Sequence, residues 1–347
     1  MELVNEIVEA RNFWEAWMSV RRNKGAAGID KMSVDVLDVY MPQHMDEIKQ
    51  SICRKQYKPS PVRRVFIPKP NGKQRPLGIP TVVDRVVQQA TAQVLNRIYE
   101  PLFSEHSYGF RPNRSCHQAI NQALDYLNAG YEWVVDFDIE KYFDTVNHDK
   151  LISILREQVN DSATLHLIRS FLKSGVMEGG LVSATTEGVP QGGCISPILS
   201  NIYLDKLDKE LESRELRFVR YADDFDIFVK SERSADRVMA SVSRWLETKL
   251  RLKVSATKTK VVRPTKSVFL GFTFWKSTRG WECRPTDAAK EKLETKVKQI
   301  LVRKRATAQP MSYIFTKLNQ VIRGWVNYYH IGSMATYLRD VFGPWLR

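Results

Sequence analysis

Arg217-Phe-Val-Arg-Tyr-Ala-Asp-Asp-Phe-Asp-Ile-Phe-Val-Lys230 contains two runs of β-branched and aromatic residues, 217–221 and 225–229, that meet at Ala222-Asp223-Asp224. The pattern predicts a β-hairpin with two adjacent carboxylates at its tip. An acidic tip is ordinarily a solvated turn. Here Phe218, Val219, Phe225, Ile227, Phe228 and Val229 flank it, so the hairpin is expected to lie buried in a sheet with the acids at its exposed end. Adjacent carboxylates on a rigid hairpin suit hard divalent cations, since Mg²⁺ takes oxygen ligands and keeps part of its water shell for substrate phosphates. Two such ions roughly 3.5–4 Å apart stabilise the attacking and leaving oxygens of an in-line phosphoryl displacement, which calls for a further carboxylate from another strand.

The candidate partner is Trp133-Val-Val-Asp-Phe-Asp-Ile-Glu-Lys-Tyr-Phe-Asp-Thr-Val146. Val134, Val135, Phe137 and Ile139 predict a strand, and Asp136 and Asp138, two apart, fall on one face of it. Two acids on one face of an apolar strand are costly to bury unless paired or bound to metal. The alternative is a face exposed at a sheet edge.

Tyr221-Ala222-Asp223-Asp224 matches the Y-A-D-D signature of reverse transcriptases, and Asp138 followed by Phe143 matches the D-x-x-x-x-[FY] of their first catalytic strand. Between them, Gly188-Val-Pro-Gln-Gly-Gly-Cys-Ile-Ser-Pro-Ile-Leu-Ser-Asn-Ile202 resembles the P-Q-G block of the same enzymes. The resemblance implies an α/β (α+β) right-hand polymerase: fingers with an N-terminal extension (1–94 and 147–189), a palm of antiparallel sheet plus helices (95–146 and 190–277), and a basic helical thumb or maturase region (278–347). It implies Asp138 and Asp223 as carboxylates bridging two Mg²⁺ ions, with Mn²⁺ a possible substitute, and Asp224 as a nearby third acid; Asp136 is taken as structural. Phe143 would stack under the sugar and leave no room for a 2′-hydroxyl. Gln191 would meet the nucleotide, and Gly192 and Gly193 would let a nucleic-acid strand approach the backbone.

The chain's 347 residues can bury a sizeable core spread over two or three subdomains. No apolar run approaches the ~18–20 residues that span a bilayer and no leader is evident, which predicts a soluble, cytoplasmic protein without membrane contact. Cys53, Cys116, Cys194 and Cys283 are far apart and form no C-x-x-C, so neither a zinc site nor a disulfide framework is indicated. The net charge of +14 is concentrated at one end: residues 251–347 hold 20 Lys or Arg against 5 Asp or Glu, and residues 1–250 hold 33 against 34. Solubility alone gives no reason for that asymmetry, whereas a surface that tracks a phosphate backbone does.

Leu3 to Val20, with Leu3, Ile7, Ala10, Trp14 and Trp17 at helical spacing, predicts one amphipathic helix. The N-K-G-x-x-G-x-D pattern after it, at Asn23, Lys24, Gly25, Gly28 and Asp30, resembles the N-terminal extension of group II intron reverse transcriptases, where the segment contacts the template. Residues 57–81 predict two short strands joined at Pro70-Asn71-Gly72, with Lys69, Lys73 and Arg75 around the tip. By resemblance to the fingers hairpin, Lys69 and Arg75 are assigned to the triphosphate, whose charge Lys and Arg would neutralise. A long helix is expected from about Val82 to Leu102. The string S-Y-G-F-R-P-x-R-S is shared with related bacterial reverse transcriptases and places Arg111 and Arg114 near template or nucleotide; salt bridges that cap the core are the alternative.

Ser196 as N-cap and Pro197 open a helix whose stripe Ile198, Leu199, Ile202, Leu207 and Leu211 is core. Lys258, grouped with the residues facing nucleic acid, resembles the lysine that serves as general acid toward leaving pyrophosphate. Phe269–Phe274 resembles the strand pair that grips the primer end. Ile322-Arg323-Gly-Trp-Val-Asn-Tyr-Tyr329 resembles the maturase region, its aromatics and Arg323 suited to RNA. Family members often continue into DNA-binding and endonuclease regions, so a chain ending at Pro344-Trp-Leu-Arg347 is expected to be truncated or a shorter relative. The expected activity is extension of a DNA or RNA primer on an RNA template from dNTPs, with a structured intron RNA as partner. An RNA-binding splicing factor with incidental polymerase activity is the rival.

Overall fold

A computed structural model of the chain describes residues 2–68, 72 and 74–346. Its centre is a four-stranded antiparallel sheet in the order β6-β7-β3-β8, made of β3 (Trp133–Asp138), β6 (Arg217–Tyr221), β7 (Asp224–Val229) and β8 (Lys260–Val262). The strict alternation of β3 and β7 decides what each face does. Val135, Phe137, Phe225 and Ile227 point into the largest apolar cluster, where burial of each such side chain contributes about 1.5–3 kcal/mol. Val134 and Phe228 start the opposite face, which continues along both strands into Asp136, Asp138, Asp224 and Asp226.

Helices cover the apolar face: α4 (Val82–Tyr99), α7 (His148–Leu155), α8 (Ser162–Leu172), α9 (Ser196–Ser213) and α10 (Glu232–Trp245) all contribute to that cluster. Thr81 caps α4 through the Asp84 amide, and Pro101 converts its end into a 3₁₀ turn at Glu100–Leu102. Ile198, Leu199, Ile202, Leu207 and Leu211 of α9 are buried. Ser196 is not the cap of α9: Ile195 holds that position, and the Ser196 hydroxyl donates to the Pro190 carbonyl at 2.7 Å.

A second four-stranded sheet has the order β2-β1-β4-β5, with β1 (Val62–Pro68) antiparallel to β2 (Gln74–Ile79). The hairpin of β4 (Val176–Glu178) and β5 (Leu181–Ser183), remote in sequence, pairs parallel to β1 through Val62 and Arg63. Lys69 and Lys73, at the tip of the β1–β2 hairpin, lie outside the described residues.

The N-terminal helix is broken in two, α1 (Leu3–Ile7) and α2 (Ala10–Asn23), with α3 (Val34–Cys53) packing beside them. The break has a local cause. The Asn12 amide donates to the Ile7 carbonyl at 2.9 Å, satisfying the end of α1, and Asp161 accepts from the Val4 amide at 2.7 Å, so α1 is tied to α8. The change of phase makes Phe13, Ala16 and Val20 the buried stripe and leaves Trp14 54% exposed, contrary to the expectation of one continuous face.

Over the acidic face lie α5 (Cys116–Asn128), opened by a capping box between Ser115 and Gln118, and the hairpin of β9 (Phe272–Ser277) and β10 (Gly280–Pro285). Further helices include α6 (Tyr142–Thr145), α11 (Asp287–Leu301), α12 (Arg303–Ala306) and α13 (Met311–Tyr329). Leu293 and Val297 of α11 meet Leu318, Ile322 and Trp325 of α13 in a separate small core. The far end of α13 is fastened to the sheet side: the Tyr328 hydroxyl donates to the Leu270 carbonyl at 2.9 Å, and His117 Nε2 lies 2.7 Å from the Tyr328 carbonyl.

Candidate active site

Register assembles the site. In the β3–β7 ladder Asp138 stands opposite Asp224, and Asp136 opposite Asp226, while Asp223 is in the two-residue turn between β6 and β7. Two acids of the hairpin are thereby placed against the acid of β3 at one end of the sheet. Ala222 takes a left-handed conformation (φ +61°) that an alanine adopts only when its surroundings hold it.

Those surroundings are a buried network that the sequence did not reveal. Arg220, with Asp208 of α9, is fully buried: Nε is 2.7 Å from Asp208 Oδ1 and Nη2 is 2.5 Å from Oδ2. The Arg220 Nη1 group donates to the Ala222 carbonyl at 2.9 Å and to Asn201 Oδ1 at 3.1 Å, and the Asn201 amide donates to the Gly109 carbonyl at 2.9 Å. A Cβ on Gly109 would overlap the backbone nitrogen of Ala222 and come within 2.8 Å of the Tyr221 carbonyl carbon. Gly109→Ala is therefore expected to push the acidic turn aside at a cost of roughly 1–3 kcal/mol of stability. A urea titration of the variant checks this.

Burial, with like charges second, sets the electrostatics. Burial, and then the Asp138 carboxylate, raise the pKa of Asp223, an effect that Arg75 of β2 partly offsets. This places Arg75 within electrostatic reach of the site. Desolvation, followed by Asp136, Asp223 and Asp138, pushes Asp224 up to about 7. Water reaches the Asp224 side chain at the sheet end, so salt is expected to screen the like-charge part of that shift. Deeper in, Asp226 is fully buried, with Oδ1 unpartnered among the described residues and Oδ2 3.4 Å from the Ser267 hydroxyl; burial and then Asp136 hold its proton on well above the carboxylate range. Asp136 is paired with Lys260 at 3.3 Å. Asp226 had a legible signal, since its position two residues after Asp224 puts it on the same face.

Among the described residues no three His, Cys, Asp or Glu side chains converge in a preformed metal cage. The donor set nevertheless fits a hard divalent cation. One carboxylate of β3 and two of the hairpin gather at one sheet end, and the Asp138 carboxylate already has a cation on it, the Lys258 ammonium at 2.8 and 3.0 Å.

Phe143 is half-buried with its ring edge-on to Tyr142 at 5.3 Å, and its carbonyl accepts from the Val189 amide at 2.6 Å, so the P-Q-G loop abuts it. Gln191 anchors the loop to β2 through its carbonyl, which accepts from the Gly78 amide at 2.7 Å. Asn23 and Lys24 are exposed, while Gly25 makes room for the Arg85 guanidinium, which donates to the Ala26 carbonyl at 2.5 Å. Arg323 is exposed on α13.

Gly192, Arg111 and Arg114 have protein neighbours. Gly192 permits a close approach, but to protein: a Cβ there would lie 2.6 Å from the Gly78 carbonyl oxygen. Arg111 is committed to the core, its guanidinium donating to Glu100 at 2.9 and 3.0 Å and to the Ser104 and Ser107 carbonyls, and lying over Phe103. Buried among acceptors, it has no free donor for a template. Arg114 likewise pairs with Glu105 and lies over Tyr108.

The three-module arrangement is that of a right-hand polymerase. Telomerase from Candida albicans, solved in complex with a fragment of telomeric RNA, matches 87% of this chain and 60% of its own at a TM-score of 0.54 and 13% identity, a likeness of fold alone. Residues 67–274 match the family described as reverse transcriptase (RNA-dependent DNA polymerase), and residues 290–343 match the group II intron maturase-specific domain. The chain belongs to the reverse transcriptase family, in the group II intron branch that adds a maturase-specific domain. It is 35% identical over 290 residues to Protein YkfC of Escherichia coli (strain K12), covering 72% of this chain and 76% of that protein. It is 39% identical over 209 residues to the group II intron-encoded protein LtrA of Lactococcus lactis subsp. cremoris, covering 60% of this chain but only 35% of LtrA. No described helix is long and apolar enough to cross a membrane.

Proposed function

We propose that the chain extends a primer 3′ end along an RNA template from dNTPs, with Asp138, Asp223 and Asp224 holding two Mg²⁺ ions. The observation that carries this reading is the β3–β7 register, which sets Asp138 opposite Asp224 beside Asp223. When bound, the ions supply charge neutralisation at the attacking and leaving oxygens, and Mn²⁺ meets the same oxygen-donor requirement. Arg75, electrostatically coupled to Asp223, neutralises the incoming triphosphate together with Lys69. Gln191 orients the nucleotide from a loop anchored on β2, and Lys258 protonates the leaving pyrophosphate. Asn23, Lys24 and Gly25 run along the template. The division into fingers, palm and thumb follows the boundaries given above; the pairing of β4 with β1 supports assigning 147–189 to the fingers.

Phe143 supplies sugar selection by bulk. Phe143→Ala is expected to raise ribonucleotide incorporation relative to deoxynucleotide by roughly 10²-fold, read from competing NTP and dNTP on one primed template.

Primer extension on an RNA template, with and without a chelator, tests the polymerase reading. Absence of chelator-sensitive extension by the folded chain contradicts it. The maturase-specific match over 290–343 favours a second role, binding of a structured intron RNA. Exposed Tyr313, Phe315 and Arg323 on α13 offer stacking and phosphate contacts for that role. Four free cysteines suit a reducing compartment, so the cytoplasm is the proposed location.

A further inference from the structure

Of the three acids at the sheet end, one has a cation of its own. Lys258 Nζ donates to both oxygens of Asp138, at 3.0 and 2.8 Å. Among the described residues, neither Asp223 nor Asp224 has a Lys or Arg within 4.0 Å. The placement of Lys258 is built by the backbone. The Ser255 amide donates to the Asp138 carbonyl at 2.9 Å, the Thr259 hydroxyl accepts from the Asp138 amide at 3.1 Å, and the Thr259 amide closes the turn on the Ser255 carbonyl at 2.9 Å. Two residues on, Lys260 stands opposite Asp136 in the β3–β8 ladder. Lysines spaced by two are thus matched to acids spaced by two.

A divalent cation seated on Asp138 beside the Lys258 ammonium would meet its positive charge, so the carboxylate holds the metal at full strength only once the ammonium moves aside. Lys258 can move at little cost, because its side chain is 66% exposed on a flexible four-carbon stem. We propose that Lys258 is a resident counter-ion of Asp138 that competes with the divalent cation, keeping the acids together before metal arrives and setting the concentration at which metal displaces it. This rests on the metal role proposed above for Asp138, and it adds a function for Lys258 that precedes any proton transfer to pyrophosphate. It accounts for two observations together: the three carboxylates do not form a metal cage as they stand, and of the three only Asp138 is covered by a cation among the described residues.

Mn²⁺ binding to the full chain without nucleic acid, followed by electron paramagnetic resonance of the free ion, reads the competition independently of activity. Lys258→Met is expected to bind Mn²⁺ about 3- to 5-fold more tightly than wild type, the range of an exposed ion pair. Lys258→Arg, whose planar fork pairs with both carboxylate oxygens, is expected to bind more weakly than wild type. Lys260→Met, whose ammonium pairs with Asp136 and not with Asp138, is expected to show a smaller gain than Lys258→Met. Unchanged or weaker binding by Lys258→Met overturns the inference. Asp138→Asn separates this from the reading beneath it: if that variant weakens Mn²⁺ binding while Lys258→Met fails to strengthen it, the metal site stands and the competition does not. If Asp138→Asn binds as wild type does, the metal role of Asp138 itself is lost.

Discussion

Asp223→Asn is expected to lower nucleotide incorporation by at least about 10³-fold, roughly 4 kcal/mol in activation free energy, with the fold intact. The substitution keeps the side chain's size and removes the negative charge that a divalent cation needs. It also removes a carboxylate whose pKa burial raises and whose charge adds to the upward shift of Asp224, so the melting temperature should stay level or rise slightly. Loss of activity without loss of stability is the signature of a group whose charge serves chemistry. Thermal denaturation beside single-nucleotide incorporation checks both halves, and a parallel fall in melting temperature would show instead that Asp223 holds the turn together.

Arg220→Met should do the reverse first. Asp208 would be left fully buried without its partner, at a cost of about 3–5 kcal/mol in unfolding free energy. Ala222 would also lose the donor to its carbonyl, so the left-handed turn that presents Asp223 loses its anchor. The two consequences separate in Arg220→Met/Asp208→Leu. Replacing both charges by apolar groups should recover most of the stability, because the cost lay in the uncompensated carboxylate. Activity should stay low, because the anchor on Ala222 is still missing. A urea-unfolding double-mutant cycle run beside incorporation assays decides this; full recovery of activity would assign Arg220 to stability alone.

Much of the sheet was legible because period-two alternation in 133–138 and 217–229 allows little else, and the order of motifs along the chain implied which strands carry acids. The supports of the site were harder to read. Asp208 lies in Lys206-Leu-Asp-Lys-Glu210, which resembles a solvated helix face. Only its phase with Asn201, Leu204 and Leu211 places it on the buried side of α9. Gly192 suggested close approach, but a sequence does not say to what; its neighbour is another part of the protein backbone, as is that of Gly109. Arg111 shows the same limit from the other side. An arginine in a motif shared with nucleic-acid enzymes attracts a functional assignment, while Glu100 and two carbonyls eleven or fewer residues away had the prior claim on it. The break between α1 and α2 depended on a side-chain cap, Asn12 on Ile7, that hydrophobic spacing cannot register.

The central claim is that Asp138, Asp223 and Asp224 form a metal-dependent polymerising centre, and it is tested most directly on one sample set. Wild type and Asp223→Asn are given a primed RNA template, one dNTP and Mg²⁺, with template binding measured alongside. The expected result is that both proteins bind the primed template equally while only wild type adds the nucleotide. Equal addition by the two proteins would contradict the account.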